Sequence, residues 1–119
     1  MFSLGNHIRY WLYNRPVDMR KSFDGLSGIV TNSMGANLRN GDVYIFMNSS
    51  RNMVKLLRKE EAGLVIYSLR LDMGRMKLPP IGDEDVLSSE LAYDGVVGMV
   101  KSAIDSPYVR RMKMLLKSL

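Results

Sequence analysis

Tyr13-Asn14-Arg15-Pro16-Val17-Asp18-Met19-Arg20-Lys21-Ser22-Phe23-Asp24-Gly25-Leu26-Ser27-Gly28 reads as the end of a strand, a rigid turn and the start of a helix. Upstream, Ile8, Tyr10 and Leu12 alternate with Arg9, Trp11 and Tyr13, the two-residue period of a strand over 8–13. Pro16 keeps Arg15 out of helical backbone, so a helix starts only after it. Asp18 has the side chain of an N-cap. Met19, Phe23, Leu26, Val30 and Met34 then recur every three or four residues, which predicts a helix with one apolar face and Gly35 as its C-cap.

Downstream of this βα unit the pattern shortens. Val43 to Met47 is a buried strand, Met53 to Arg58 and Leu64 to Leu71 are two more, and Arg75 to Leu78 is a short last one. Turn-forming residues separate them: Asn40-Gly41-Asp42, Asn48 to Asn52, Glu60 to Gly63, and Asp72-Met73-Gly74. Strands joined by such short loops are antiparallel. Pro79-Pro80-Ile81-Gly82 ends the run as a linker. Leu87, Leu91, Val96, Val97, Val100 and Ile104 suggest a helix over about 86–104. Ser106-Pro107 opens a short final helix whose apolar face is Tyr108, Met112, Leu115, Leu116 and Leu119. The expected fold class is α+β: an antiparallel β-meander of about four to five strands, one N-terminal helix packed on it, and one or two C-terminal helices. Residues 1–80 form the α+β core, and 81–119 are a helical extension packed on the same domain.

The 119 residues suffice for one core. The absence of cysteine excludes disulfides, zinc–thiolate centres and thiol nucleophiles. A lone His7 makes neither a metal site nor a Ser-His-Asp triad. The Asp and Glu residues lack the spacing of a recognised metal motif, and no phosphate-binding Gly-x-x-x-x-Gly-Lys-Ser/Thr loop occurs. No catalytic residue, metal or cofactor is therefore predicted. Met1 to Asn14 has no charged leader followed by an apolar run, and no stretch approaches the ~20 apolar residues of a membrane span. The reading is a cytoplasmic protein.

Net charge is +5, and its placement is uneven. Residues 1–80 hold 12 Lys and Arg against 6 Asp and Glu, whereas the remainder is slightly acidic. Such a field favours an anionic partner, with nucleic acid first. Arg15, Arg20 and Lys21 flank the expected helix start, where the helix dipole is already positive. Free N–H groups and three cations there would hold a phosphate. An alternative stays open, in which Asp18 fills the cap and Arg20 pairs with Asp24. Arg51, Lys55, Arg58, Lys59 and Arg70 lie on the hairpin, either tracking a nucleic-acid backbone or forming a solvated face. Tyr10, Trp11, Tyr13, Tyr44, Phe46 and Tyr67 fall on strands, where they stack bases or fill the core.

The stretch 13–28 closely resembles the signature of the second-open-reading-frame (TnpB-type) accessory proteins of the bacterial insertion-sequence family numbered sixty-six. The similarity continues through Gly41-Asp42-Val43-Tyr44-Ile45-Phe46-Met47-Asn48, Arg51, Lys55-Leu56-Leu57, Gly63-Leu64-Val65, Tyr67, Arg70-Leu71 and Gly74, covering about residues 8–79. One departure is Arg58-Lys59-Glu60, where the family usually carries an aromatic followed by an acid. The resemblance implies a small non-enzymatic protein encoded beside a DDE-type transposase and needed for efficient transposition. It implies no catalytic residues. The resulting expectation is an accessory factor that contacts DNA, or the transposase–DNA complex, through Arg15, Arg20, Lys21, Arg51, Lys55 and Arg70. The alternatives are an adaptor that meets the transposase without touching DNA and, more remotely, a Mg²⁺-dependent nuclease.

Overall fold

The computed structural model describes residues 4–5, 7–78, 86–104, 111 and 114–115. The 79–82 linker and most of the 107–119 helix expected from sequence lie outside these residues.

The elements in order are strand β1 (Tyr10–Tyr13), helix α1 (Phe23–Gly28) with a π-helical continuation (Ile29–Ser33), a 3-10 turn (Leu38–Asn40), strands β2 (Val43–Met47), β3 (Met53–Lys59), β4 (Leu64–Arg70) and β5 (Ser88–Leu91), and helix α2 (Tyr93–Ile104). They build one five-stranded sheet in the order β4-β3-β2-β1-β5. The sheet is mixed, not a pure antiparallel meander. The crossover through α1 brings β2 parallel to β1, with Tyr10 opposite Val43 and Leu12 opposite Ile45. The pairs β2–β3, β3–β4 and β1–β5 are antiparallel.

Strand alternation splits the core into two layers. On one face Leu26 and Val30 of the first helical segment pack against Tyr44, Phe46 and Leu57. On the other, Val96 and Met99 of α2 pack against Tyr10, Leu12, Val43, Ile45 and Val54. With both faces covered, β2 is buried along its whole length, as its unbroken apolar run Val43–Met47 requires. The 86–104 segment therefore contributes Leu91, Val96 and Met99 to the same core as β1.

Three sequence expectations need correction. Asp18 does not cap a helix. Its Oδ1 accepts the backbone N–H of Arg20 at 2.8 Å, closing a local turn, and the helix begins at Phe23 without a side-chain cap. Arg75 to Leu78 is not a strand. Met76 N–H donates to Arg51 O at 2.7 Å, and the Met76 side chain is buried beneath the sheet on the α2 side. The fifth strand is instead β5, formed where helix was expected. There Leu91 turns inward beside Tyr10, and pairing along β1 prevails over helical periodicity.

Gly35 ends the first helical segment as expected, at φ +63°. The closure is one residue wider than usual: Met34 N–H donates to Ile29 O, and Ala36 N–H to Val30 O. That spacing continues the π-helical turn.

Candidate nucleic-acid interface

The strand registers place Tyr13, Asn48, Met53, Arg70 and Ser88 at one end of the sheet. Segments leaving that end carry Arg15, Arg20, Lys21, Arg51, Arg70, Arg75 and Lys77, with only Asp18, Asp24 and Asp72 against them among the described residues. At the opposite end Arg9, Arg39, Arg58 and Lys59 meet Asp42, Glu60, Glu61, Glu90 and Asp94. Among the described residues the positive charge thus lies at one edge, and the charge at the other is balanced.

Much of the balanced end is internally paired. The Arg9 guanidinium is bidentate to Glu90 at 3.0 and 2.9 Å and lies over the Trp11 ring at 4.9 Å. This contact raises the Arg9 pKa and lowers that of Glu90. Trp11 Nε1 donates to Asp42 at 2.9 Å. Arg58 Nε donates to Gly41 O at 2.9 Å, securing a turn whose Gly41 has φ +82°. Here the departure from the family pattern at Arg58 has a structural use.

At the basic edge the side chains divide by role. Lys55 is not on an open face: its ammonium donates to Met19 O at 2.7 Å and Lys21 O at 2.8 Å, clamping the loop before α1 to the sheet. Arg20 pairs with Asp18 at 2.6 Å, not with Asp24. The hydrogen bonds from Arg20 hold the Asp18 carboxyl down at about 2. Arg20 keeps 92% of its side chain exposed, so the pair leaves most of its surface open. Arg20 and Lys21 lie in the loop that leads into Phe23, ahead of the helix and not in its first turn. Arg70 is exposed at the last position of β4. Tyr10, Tyr44 and Phe46 are fully buried and belong to the core.

Arg15 and Arg51 come together across a cleft at the carboxyl ends of the parallel pair β1 and β2, also lined by Leu12, Pro16, Met47 and Leu78. Arg51 sits in left-handed backbone at φ +56°, the one non-glycine residue with positive φ among those described. The hairpin is held there by Asn48, whose Oδ1 accepts the N–H groups of Asn52 and Met53 at 3.1 Å.

Arg75 and Lys77 were not singled out from sequence. The available signal was two cations flanking Met76, which strand parity also explains. Among the described residues no group of three His, Asp or Glu side chains is placed to hold a metal ion. No helix among them is long and apolar enough to cross a membrane.

The family model described as IS66 Orf2 like protein matches residues 8–103, reaching into α2 and so beyond the 8–79 span of the resemblance. Two proteins of Sinorhizobium fredii, both described as uncharacterized, are similar. The first, y4hO, is 28% identical over 79 residues, covering 66% of this chain and 69% of its own. The second, y4jC, is 24% identical over 76 residues, covering 64% and 65%. No solved structure matches. The chain belongs to the IS66 Orf2-like family, the accessory proteins of IS66 insertion elements.

Proposed function

We propose that this protein assists transposition by gripping DNA, alone or within a transposase–DNA complex, along the basic edge of its sheet. The observation that carries the reading is the separation of charge along the strand axis. Among the described residues, Arg15, Arg51, Arg70, Arg75 and Lys77 lie on segments at one end, and the other end is neutralised by its own acids. Guanidiniums spaced across several loops suit a phosphate backbone, which provides affinity and register without reading sequence. Sequence choice at the element's ends then falls to the transposase. Family membership supports the setting, and no catalytic role is assigned.

Fluorescence anisotropy tests this with a labelled duplex from the element's terminal repeat and a scrambled duplex, each at two salt concentrations. The expected result is similar affinity for both duplexes and a log–log salt slope of about −0.9 per phosphate contacted. Absence of binding at low salt would overturn DNA contact and favour an adaptor that meets the transposase directly.

A further inference from the structure

The cleft between the carboxyl ends of β1 and β2 has features that backbone gripping does not use. Its volume is about 120 Å³ and its lining is mainly apolar. Leu12 and Met47 form its floor, with Pro16 and Leu78 as walls. Arg15, whose guanidinium also donates to Asn14 O at 3.3 Å, and Arg51 complete the lining. A dry cavity of about 150 Å³ accepts a benzene molecule, so this smaller, open cleft has room for at most part of one six-membered ring, the rest left at its mouth, and none for a fused pair. Crevices outside the carboxyl ends of parallel strands are also where α/β sheets bind ligands. The left-handed backbone of Arg51 adds a third observation. An arginine holds a conformation that glycine or asparagine adopts at lower cost, and the result is a second guanidinium across the cleft from Arg15.

We propose that this cleft takes one unstacked pyrimidine nucleotide, its ring against the apolar floor and its phosphate between Arg15 and Arg51. The inference rests on the DNA-binding reading and sharpens it: the protein holds single-stranded or frayed DNA ends more tightly than duplex interior. A flat aromatic ring with a phosphate at its edge matches an apolar slot with two cations in its lining. An intact duplex cannot fill it, because stacked bases do not protrude.

The test compares three duplexes of one length: blunt, with a three-thymidine overhang, and with a three-adenosine overhang. The full chain should bind the thymidine overhang about tenfold more tightly than the blunt duplex, a factor within what one enclosed base contributes. Adenosine should gain much less. Ser49→Leu adds bulk at an exposed residue of the cleft lining and should abolish the difference between the thymidine-overhang and blunt duplexes. Equal binding of blunt and overhanging duplexes, or equal gains for thymidine and adenosine, would overturn the pocket and leave the basic edge standing. No binding to any duplex at low salt would overturn both. A second readout needs no duplex. Titration with thymidine 5′-monophosphate should shift the Leu12 and Met47 methyl resonances, and unmoved methyls at millimolar nucleotide would equally overturn the pocket.

Discussion

Arg51 connects backbone strain with function at a single residue. Left-handed backbone costs a non-glycine residue about 1–2 kcal/mol, and glycine avoids this at an entropic cost of about 0.4–1 kcal/mol. Arg51→Gly should therefore leave the fold as stable as the parent or up to about 1 kcal/mol more stable. The same change should weaken DNA binding and lower the salt slope by about one contact. Urea unfolding and anisotropy on one preparation separate the two effects. Asp18 offers a second residue-scale check. Its carboxyl is held at about 2 by Arg20, below its unfolded value of roughly 3.9. The pair's contribution is thus complete above pH 4 and is lost as pH falls through about 2. A carbon-detected NMR titration should place the Asp18 midpoint near 2, and Arg20→Ala should raise it toward the ordinary carboxylate range, with the retained backbone N–H of residue 20 holding back part of the rise.

Among elements, the loop between β1 and α1 depends on β3. Lys55 reaches from the sheet to two carbonyls, a pair of charge-assisted bonds that leave solvent partly in contact. Lys55→Met keeps the stem but removes both bonds, so stability should fall by about 2 kcal/mol in denaturant unfolding. Amide exchange in residues 18–22 should accelerate more than exchange in β3. Gly35→Ala forces a side chain into φ +63° and should cost about 1 kcal/mol, although nothing obstructs the added carbon.

These elements also show where the sequence was legible. Val43–Met47 is apolar throughout, so its burial on both faces could be read directly. The hairpin turns carried asparagine and glycine, and β3 and β4 followed. The helix start is displaced from the sequence expectation because Asp18 can satisfy either a helix cap or a two-residue turn, and the turn it forms lies beside carbonyls held by the distant Lys55. β5 is not legible because Ser88-Ser89-Glu90-Leu91 has one buried residue, and its partner strand β1 lies far away in sequence, Tyr10 opposite Leu91. The cations of the candidate site were visible, but their gathering at one edge was not. It follows from the parallel β1–β2 register, which no local pattern records.

At the scale of the whole molecule, two apolar layers enclose a sheet whose ends differ in charge. The layers make stability sensitive to alkali. Burial raises the phenol pKa values of Tyr10, Tyr44 and Tyr67, and at Tyr67 the hydrogen bond to Glu60 adds to it. Folding thus favours the neutral phenols. Their contribution is complete below the unfolded value of about 10 and declines as pH rises above it. The urea midpoint should hold steady from pH 8 to 9.5 and fall beyond pH 10. Tyr67→Phe should flatten part of that fall.

The central claim concerns which end of the sheet meets DNA. The most direct measurement is an amide chemical-shift map of the full chain titrated with a short duplex at low salt. The account predicts perturbations in Asn14–Lys21, Ser49–Asn52 and Arg70–Lys77, fading as salt is added, with Arg9 and Arg58–Glu61 unmoved. Perturbations concentrated around Arg9, Arg58 and Glu90, or spread evenly over both ends, would contradict it.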